Sequence, residues 1–413
     1  MNLTFDKIQE IGNKCGESFY ILDTSQFEAN YKELLKAFRN IYKKTHIAYS
    51  YKTNYTPRLC KIVDQLGGFA EIVSDMEYNI AKKLGVEPQK IYFNGPYKNP
   101  ESVKKLLLAG GTVNIDSNFD LQIVKEAANS NPNNKLSVGI RCNFDIQDGV
   151  ISRFGFDVNS KEFEEAIDTI CQIPNLKLNG LHSHFATRDI KTWPQRVAGM
   201  LELVDKYFNK PPRFISLGGG LYGKMTDSLK AQFDVEIPTY EDYANAVAHQ
   251  FNAYFKGKER QPMLIIEPGS ALVGDAMKFV ARVVSIKDIR GKKIATLFGS
   301  IYNINPTLNK KNLPIKVYHD GKSNKIQIAY EDLDFGGFTC IESDYLYRGF
   351  SGKLAVNDYI VFDNVGSYSV VLKPPFILPN FAIVECDDKS NKIQLIKKKE
   401  CFDDLFHTFN FEV

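Results

Sequence analysis

The stretch Ala48-Tyr49-Ser50-Tyr51-Lys52-Thr53-Asn54 starts as an alternating, β-branched and aromatic run and closes on a lysine. Most lysines are solvated surface charges. A lysine buried at the end of a strand can instead lose its proton near neutral pH and form a Schiff base with an aldehyde. Three further clusters stand at expected strand ends: His182-Ser183-His184-Phe185-Ala186-Thr187, Ser216-Leu217-Gly218-Gly219-Gly220 and Glu267-Pro268-Gly269-Ser270. Taken singly, a histidine near a strand end is usually a core or surface residue, a triple glycine a loop and Glu-Pro-Gly a turn. What gives them weight is a common placement with Lys52, and that placement depends on the elements that carry them.

Residues 18–22 read as a strand, and Asp23-Thr24-Ser25 reads as a helix start before apolar residues at helical spacing over 27–41. After the strand ending at Lys52, short apolar strands are expected at 68–73, 91–94, 112–115, 136–142, 178–184, 213–217 and 263–267. Amphipathic helices fit between them, for example at 76–84, 100–109, 121–129, 162–171, 194–208 and 240–254. Eight strand–helix units over this span predict an α/β fold, a (β/α)8 TIM-like barrel over residues 27–270, with the strand ends on the face where barrel sites lie. From residue 271 the texture changes. Stretches 278–303, 314–330 and 352–384 are rich in β-branched and aromatic residues with turns between them, which predicts a C-terminal β-rich domain over 271–413 joined by residues 1–26.

The bulk numbers set limits. At 413 residues the chain is too long for one core. Hydrophobic content of 44% and charged content of 24% describe an ordinary soluble protein, and a net charge of +3 gives no sign of nucleic-acid binding. No apolar run reaches the roughly 18–20 residues of a membrane helix. The opening residues lack the basic and apolar regions of a signal peptide. Seven scattered cysteines, none in a CxxC pair, point to reduced thiols in a cytoplasm and to no metal site of that kind.

Read together and in order, Phe19-Tyr20-Ile21-Leu22-Asp23, Tyr51-Lys52-Thr53-Asn54, the three clusters and Val365-Gly366-Ser367-Tyr368-Ser369 resemble the fold-type III pyridoxal-phosphate decarboxylases over nearly the whole chain. Diaminopimelate, ornithine and arginine decarboxylases belong there, with alanine racemase more distant. The resemblance implies pyridoxal 5'-phosphate carried by Lys52, with His184 stacked on its ring and His182 in support. It implies that Gly218, Gly219, Gly220, Gly269, Thr187, Ser270 and Tyr368 surround the phosphate, with a following helix or nest adding positive potential. Glu267 would pair with the pyridine nitrogen, keep it protonated and favour the carbanion left by CO2 loss. Alanine racemases place an arginine there, so Glu267 points to a decarboxylase. Arg141 resembles the family's arginine behind the histidine, and Glu71 stands where relatives carry an aspartate near the lysine. Gly337-Phe338-Thr339-Cys340-Ile341-Glu342-Ser343-Asp344 resembles the family's cysteine motif, in which Cys340 would reprotonate the carbanion in a partner's site. This implies a homodimer with shared sites.

Three departures from the family pattern matter, one for the cofactor phosphate and two for the substrate. Ser270 stands where relatives have an arginine on the phosphate. Ile341 stands where diaminopimelate and ornithine enzymes have an acidic residue for the distal amine, with Glu342 one position late. Asn305, in Tyr302-Asn303-Ile304-Asn305-Pro306-Thr307-Leu308, takes the place of an arginine for a distal carboxylate. With Asp344 and Tyr368, the residues Asn305, Ile341 and Glu342 would form the substrate end. The chemistry is therefore expected to persist on an unusual substrate, such as a siderophore or antibiotic intermediate or a carrier-tethered amino acid. The alternative is a diaminopimelate decarboxylase of lysine biosynthesis. In a different class, the alternative is a non-catalytic regulatory paralogue that binds the cofactor.

Overall fold

In the computed structural model, residues 3–307, 309–321, 328–386 and 393–411 are described. Leu308 and residues 322–327 of the expected 314–330 stretch lie outside them. The chain forms two compact units. One comprises Glu28–Tyr222 and Ile237–Ala271, and the other Met1–Phe27, Gly223–Glu236 and Leu272–Val413.

The first unit is a closed parallel barrel. Its strands are Thr45–Ser50, Phe69–Ile72, Ile91–Phe93, Thr112–Ile115, Leu136–Asn143, Leu176–His182, Phe214–Ser216 and Met263–Ile266. Each pairs with the next in chain order, and Leu264 opposite Thr45 closes the ring. The strands are nearly continuous apolar runs because both faces are covered. Inside, Ala48, Tyr92, Phe214 and Ile265 pack together. Gly180 is dictated by this packing: a Cβ there would lie 2.3 Å from the Phe214 ring. The covering helices start where the sequence supplies caps. Ser74 Oγ accepts from Glu77 N at 3.2 Å, Asn99 Oδ1 from Ser102 N at 3.1 Å, and Ser160 Oγ from Phe163 N at 3.1 Å. Thr239 and Asp242 form a capping box for Tyr240–Phe255.

The strand ends fall slightly earlier than the residue pattern suggests. Thr45–Ser50 stops before Lys52, which lies in the 3-10 turn Tyr51–Thr53. Ser50 N–H still follows the ladder to Pro268 O at 3.1 Å, but Pro268 has no N–H to return, and the Ser50 hydroxyl donates to Glu267 O at 3.1 Å, so the pairing stops there. Leu176–His182 likewise ends before His184, and Met263–Ile266 before Glu267. A turn leaves side chains free to point at a ligand, where a strand would fix them alternately to two faces.

The second unit is a β-sheet with one helix on its apolar face. Phe19–Leu22 runs antiparallel to Met277–Ile289 and parallel to Ala382–Cys386. Lys292–Leu297, Ile328–Gly336 and Tyr345–Leu354 extend the sheet on one side. The pattern of residues 1–26 predicts a strand at the start of this unit, but the structure opens it on the helix Phe5–Cys15. Thr4 Oγ1 caps it by accepting from Lys7 N at 3.2 Å, and Ile8 and Ile11 enter a core with Phe19, Ile21, Val280 and Val384. Residues 301–304, read as part of a β stretch, form one helical turn because Ser300 and Asn303 cap each other.

Candidate active site

The barrel register sets the site. Ser50 stands opposite Glu71, Arg141 opposite His182, and His182 opposite Ser216. Lys52 Nζ donates to Glu71 Oε2 at 2.5 Å. Glu71 is 1% exposed, whereas the lysine side chain keeps 31% of its surface open. Asn94, directly after Ile91–Phe93, donates both amide hydrogens, to Glu71 Oε1 at 3.1 Å and to Glu267 Oε1 at 3.1 Å. Its own oxygen accepts from Asn114 Nδ2 at 2.7 Å, which fixes the amide orientation. Glu267 Oε1 also accepts from Ser216 Oγ at 2.7 Å, and Oε2 lies 3.2 Å from His182 Nε2. One polar network therefore joins Lys52, Glu71, Asn94, Glu267 and His182. Burial pushes the Glu267 carboxyl up, but His182 and Lys52 outweigh it and hold the group well below the ordinary carboxylate range. Glu267 is a buried anion with three donors, and an ionised carboxylate has room for about four.

His184 lies in the loop after its strand, and its Nδ1 accepts from Gly219 N at 2.8 Å. Burial first, then the charges of Lys52 and Arg141, lower its pKa well below the usual value. The ring is thus neutral, with its proton on Nε2. Arg141 donates to Asp116 Oδ1 at 3.0 Å and to the His184 carbonyl at 3.2 Å, so it holds the histidine from behind through the backbone.

The glycine cluster differs from the expectation. Gly218 N–H is spent on Ser216 Oγ at 3.3 Å and Gly219 N–H on His184. Both glycines are required by neighbours: a Cβ on Gly218 would lie 2.4 Å from Ser183 O, and one on Gly219 2.4 Å from Glu267 O. Among the described residues no acceptor pairs with the N–H of Gly220 or Leu221, and these remain available for an anion. No helix follows directly, since residues 217–226 carry none. Thr187 donates its hydroxyl to Asp148, a carboxylate, so it is not a free donor. Gly269 is fixed by Thr53, whose Oγ1 would lie 2.0 Å from an added Cβ. Ser270 starts a four-residue helix and is half-buried.

The remaining candidates lie in the β unit. Cys340 is a free, exposed thiol, and Glu342 is exposed beside the half-buried Ile341. Asp344 is buried. Its carboxylate accepts from Ser300 Oγ at 3.0 Å, Ile301 N at 2.7 Å, Thr339 N at 3.3 Å and Thr339 Oγ1 at 2.6 Å. Asn305 is also consumed locally, donating to Asn309 O at 2.8 Å and accepting from Thr307 Oγ1 and Asn309 Nδ2 at 3.0 Å. Tyr368 has φ +65°, a left-handed conformation rare for an aromatic residue.

The half-open amine, the buried carboxylate with spare accepting capacity and the two free N–H groups fit pyridoxal 5'-phosphate. Residues 25–274 match the sequence profile of the pyridoxal-dependent decarboxylase family, pyridoxal binding domain, and the chain belongs to that family. It is a lyase that depends on pyridoxal 5'-phosphate and decarboxylates an amino acid. It is 26% identical to the diaminopimelate decarboxylase of Methanocaldococcus jannaschii over 96% of this chain and 92% of that one. It is 24% identical to that of Aquifex aeolicus over the same shares. A crystal structure of the Methanocaldococcus jannaschii enzyme superposes with a TM-score of 0.85, at 24% identity, over 97% of this chain and 93% of that one. Among the described residues no helix is long and apolar enough to cross a membrane, and no cluster of side chains could hold a metal ion.

Proposed function

We propose that the substrate is diaminopimelate, with Lys52 as the residue that holds the cofactor's aldehyde. The observation that carries the assignment of roles is the hydrogen-bonded chain from Lys52 through Glu71 and Asn94 to Glu267. When bound, the cofactor supplies an electron-withdrawing ring that stabilises the carbanion left as CO2 departs. The protein's part is to fix charge. Glu267 is held anionic to face a protonated ring nitrogen, while Glu71 holds a proton at Lys52 Nζ or receives one from it. The neutral His184 ring offers a flat apolar face, and Gly220 and Leu221 offer N–H groups to the phosphate. Cys340 is proposed as the proton donor to the product carbon, acting from a second copy of the chain. Asp344 serves to position its loop rather than to bind substrate, because its four acceptor contacts are already made. Ser270 is proposed to complete the phosphate surroundings.

The diaminopimelate reading is supported by the relatives, which carry that enzyme's name over nearly their full length. A larger amino-acid conjugate, free or carrier-bound, is the second reading. It is favoured by Asn305: an arginine would supply a charge for a distal carboxylate, and this amide is neutral and bonded within its own turn. A CO2-release assay separates them, with meso-diaminopimelate, ornithine, lysine, arginine and a citryl-diaminopropionate conjugate offered to the purified enzyme. Release from diaminopimelate well above the others is expected. Release only from the conjugate would overturn the first reading in favour of the second, and release from neither would overturn both.

A further inference from the structure

Arg196, in the helix Trp193–Tyr207, has none of its surface exposed, yet among the described residues no carboxylate lies within salt-bridge distance of it. Asp148, which accepts from the Thr187 hydroxyl, attracts the guanidinium without reaching pairing distance, and a buried cation with no ion pair in contact is costly, so its position calls for a closer partner. Its guanidinium donates from Nη1 to Gly219 O at 3.2 Å, and from Nη2 to Thr187 O and to Thr192 Oγ1 at 3.2 Å. The Trp193 ring lies 4.3 Å from its central carbon. Burial lowers its pKa, but only to about 10, so it stays charged at neutral pH. A Cβ placed on Gly220 would lie 3.7 Å from Nη1, which puts the charge directly under the glycine loop.

In a trans peptide the carbonyl and the following N–H point in opposite directions. By holding Gly219 O, Arg196 turns the Gly220 N–H to the far side of the loop, where among the described residues no acceptor meets it. No helix dipole follows the loop to supply positive potential, and Ser270 brings no charge. We propose that Arg196 is the buried counter-charge of the cofactor's phosphate: it aims the Gly220 N–H at the anion and takes over the electrostatic role that the position of Ser270 does not fill. Arg196 is thus a positioning residue that acts through the loop, and the inference rests on the proposed placement of the phosphate at Gly220 and Leu221.

The test compares dissociation constants for pyridoxal 5'-phosphate and for pyridoxal, which lacks the phosphate, in the wild-type apoenzyme and in Arg196→Met and Arg196→Lys. Thermal stabilisation of each apoenzyme by inorganic phosphate is measured in parallel. The wild type should prefer the phosphorylated ligand strongly. Arg196→Met should lose at least about tenfold of that preference, the scale of one charge-assisted contact, and should lose the response to phosphate. Arg196→Lys should keep part of both. Equal weakening of both ligands in Arg196→Met, with the preference intact, would show a packing role only and overturn the inference while leaving the cofactor site in place. A wild type that binds the two ligands equally would overturn the phosphate placement itself. If Arg196→Met does not fold, an intact preference in a folded Arg196→Lys with no loss of phosphate response would count against the inference.

Discussion

The barrel mouth and the cysteine loop of the β unit both bury carboxylates, but they use them differently. In the barrel, Glu71 and Glu267 share one amide, Asn94, although Asn94 and Glu267 are 173 residues apart in sequence. Glu71 meets a half-open cation, and Glu267 keeps accepting capacity. In the β unit, Asp344 gathers four donors from residues 300–301 and 339, and nothing remains to offer a ligand. The first arrangement stores charge for a guest, and the second locks a loop. A carboxylate's donor count therefore says more about its role than its burial or its place in a motif.

The largest effect is expected where that stored charge is removed. Lys52→Ala should abolish turnover, and the visible band of the cofactor-loaded protein, lost from the wild type on borohydride reduction, should be absent. A wild-type band in the variant would show that another amine carries the cofactor and would sever the network from the chemistry.

A smaller effect is expected from the locked loop. Asp344→Ala leaves two hydroxyls and two backbone N–H groups unpaired, which costs about 1–3 kcal/mol for groups of this kind. Denaturation midpoints would show that loss. If the carboxylate serves to place Cys340, the variant should also share the product profile of Cys340→Ala, including side products of misplaced protonation. A variant that instead raises KM for substrate alone, with kcat unchanged, would make Asp344 a substrate ligand after all.

The same contrast explains what the sequence made legible. That Lys52, His184, Glu267 and the glycines meet at one barrel face was readable because unusual residue types stand at the ends of apolar runs, and a barrel collects strand ends on one face. Asn94, Asn114 and Arg196 were not readable. They are ordinary polar residues whose meaning comes from partners up to 173 positions away. The glycines were half-read: Gly218 and Gly219 answer to the Cβ space left by Ser183 and Glu267, and of the three Gly220 is the one whose N–H meets no acceptor among the described residues. The helix Phe5–Cys15 was masked by Gly12, poor in helix propensity, although the Thr4 cap and the Ile8 and Ile11 spacing were there to see. Contacts across long sequence separations decided the misses at the barrel mouth, whereas the helix Phe5–Cys15 and the turn at 301–304 were settled by local capping.

The smallest net effect on the wild type concerns Glu77, a carboxylate with which no cation pairs among the described residues, Lys52 acting on it only from a distance. Glu77 accepts from Val73 N at 2.7 Å, and burial, with the charge of Glu71 adding to it, raises its pKa to about 7. Between the ordinary value of 4.5 and about 7 the folded protein holds a proton that the unfolded chain has released. This group therefore makes stability fall as pH rises through that window, by up to about 3 kcal/mol. His46, stacked on Phe69 at 4.9 Å, has the opposite sign. Burial and then Arg39 lower its pKa to about 4, so its contribution is lost as pH falls from 6.5 toward 4. The two oppose each other across pH 4.5–6.5. Glu77→Gln keeps an oxygen for Val73 N but cannot ionise. The variant's unfolding midpoint should rise steadily with pH across that window, while the wild type's changes less, and the curves should separate most near pH 7. Parallel curves would mean that Glu77 is already ionised at low pH in the folded state, with charge from Lys52 reaching it, and the distinction between shared and isolated barrel carboxylates would fall.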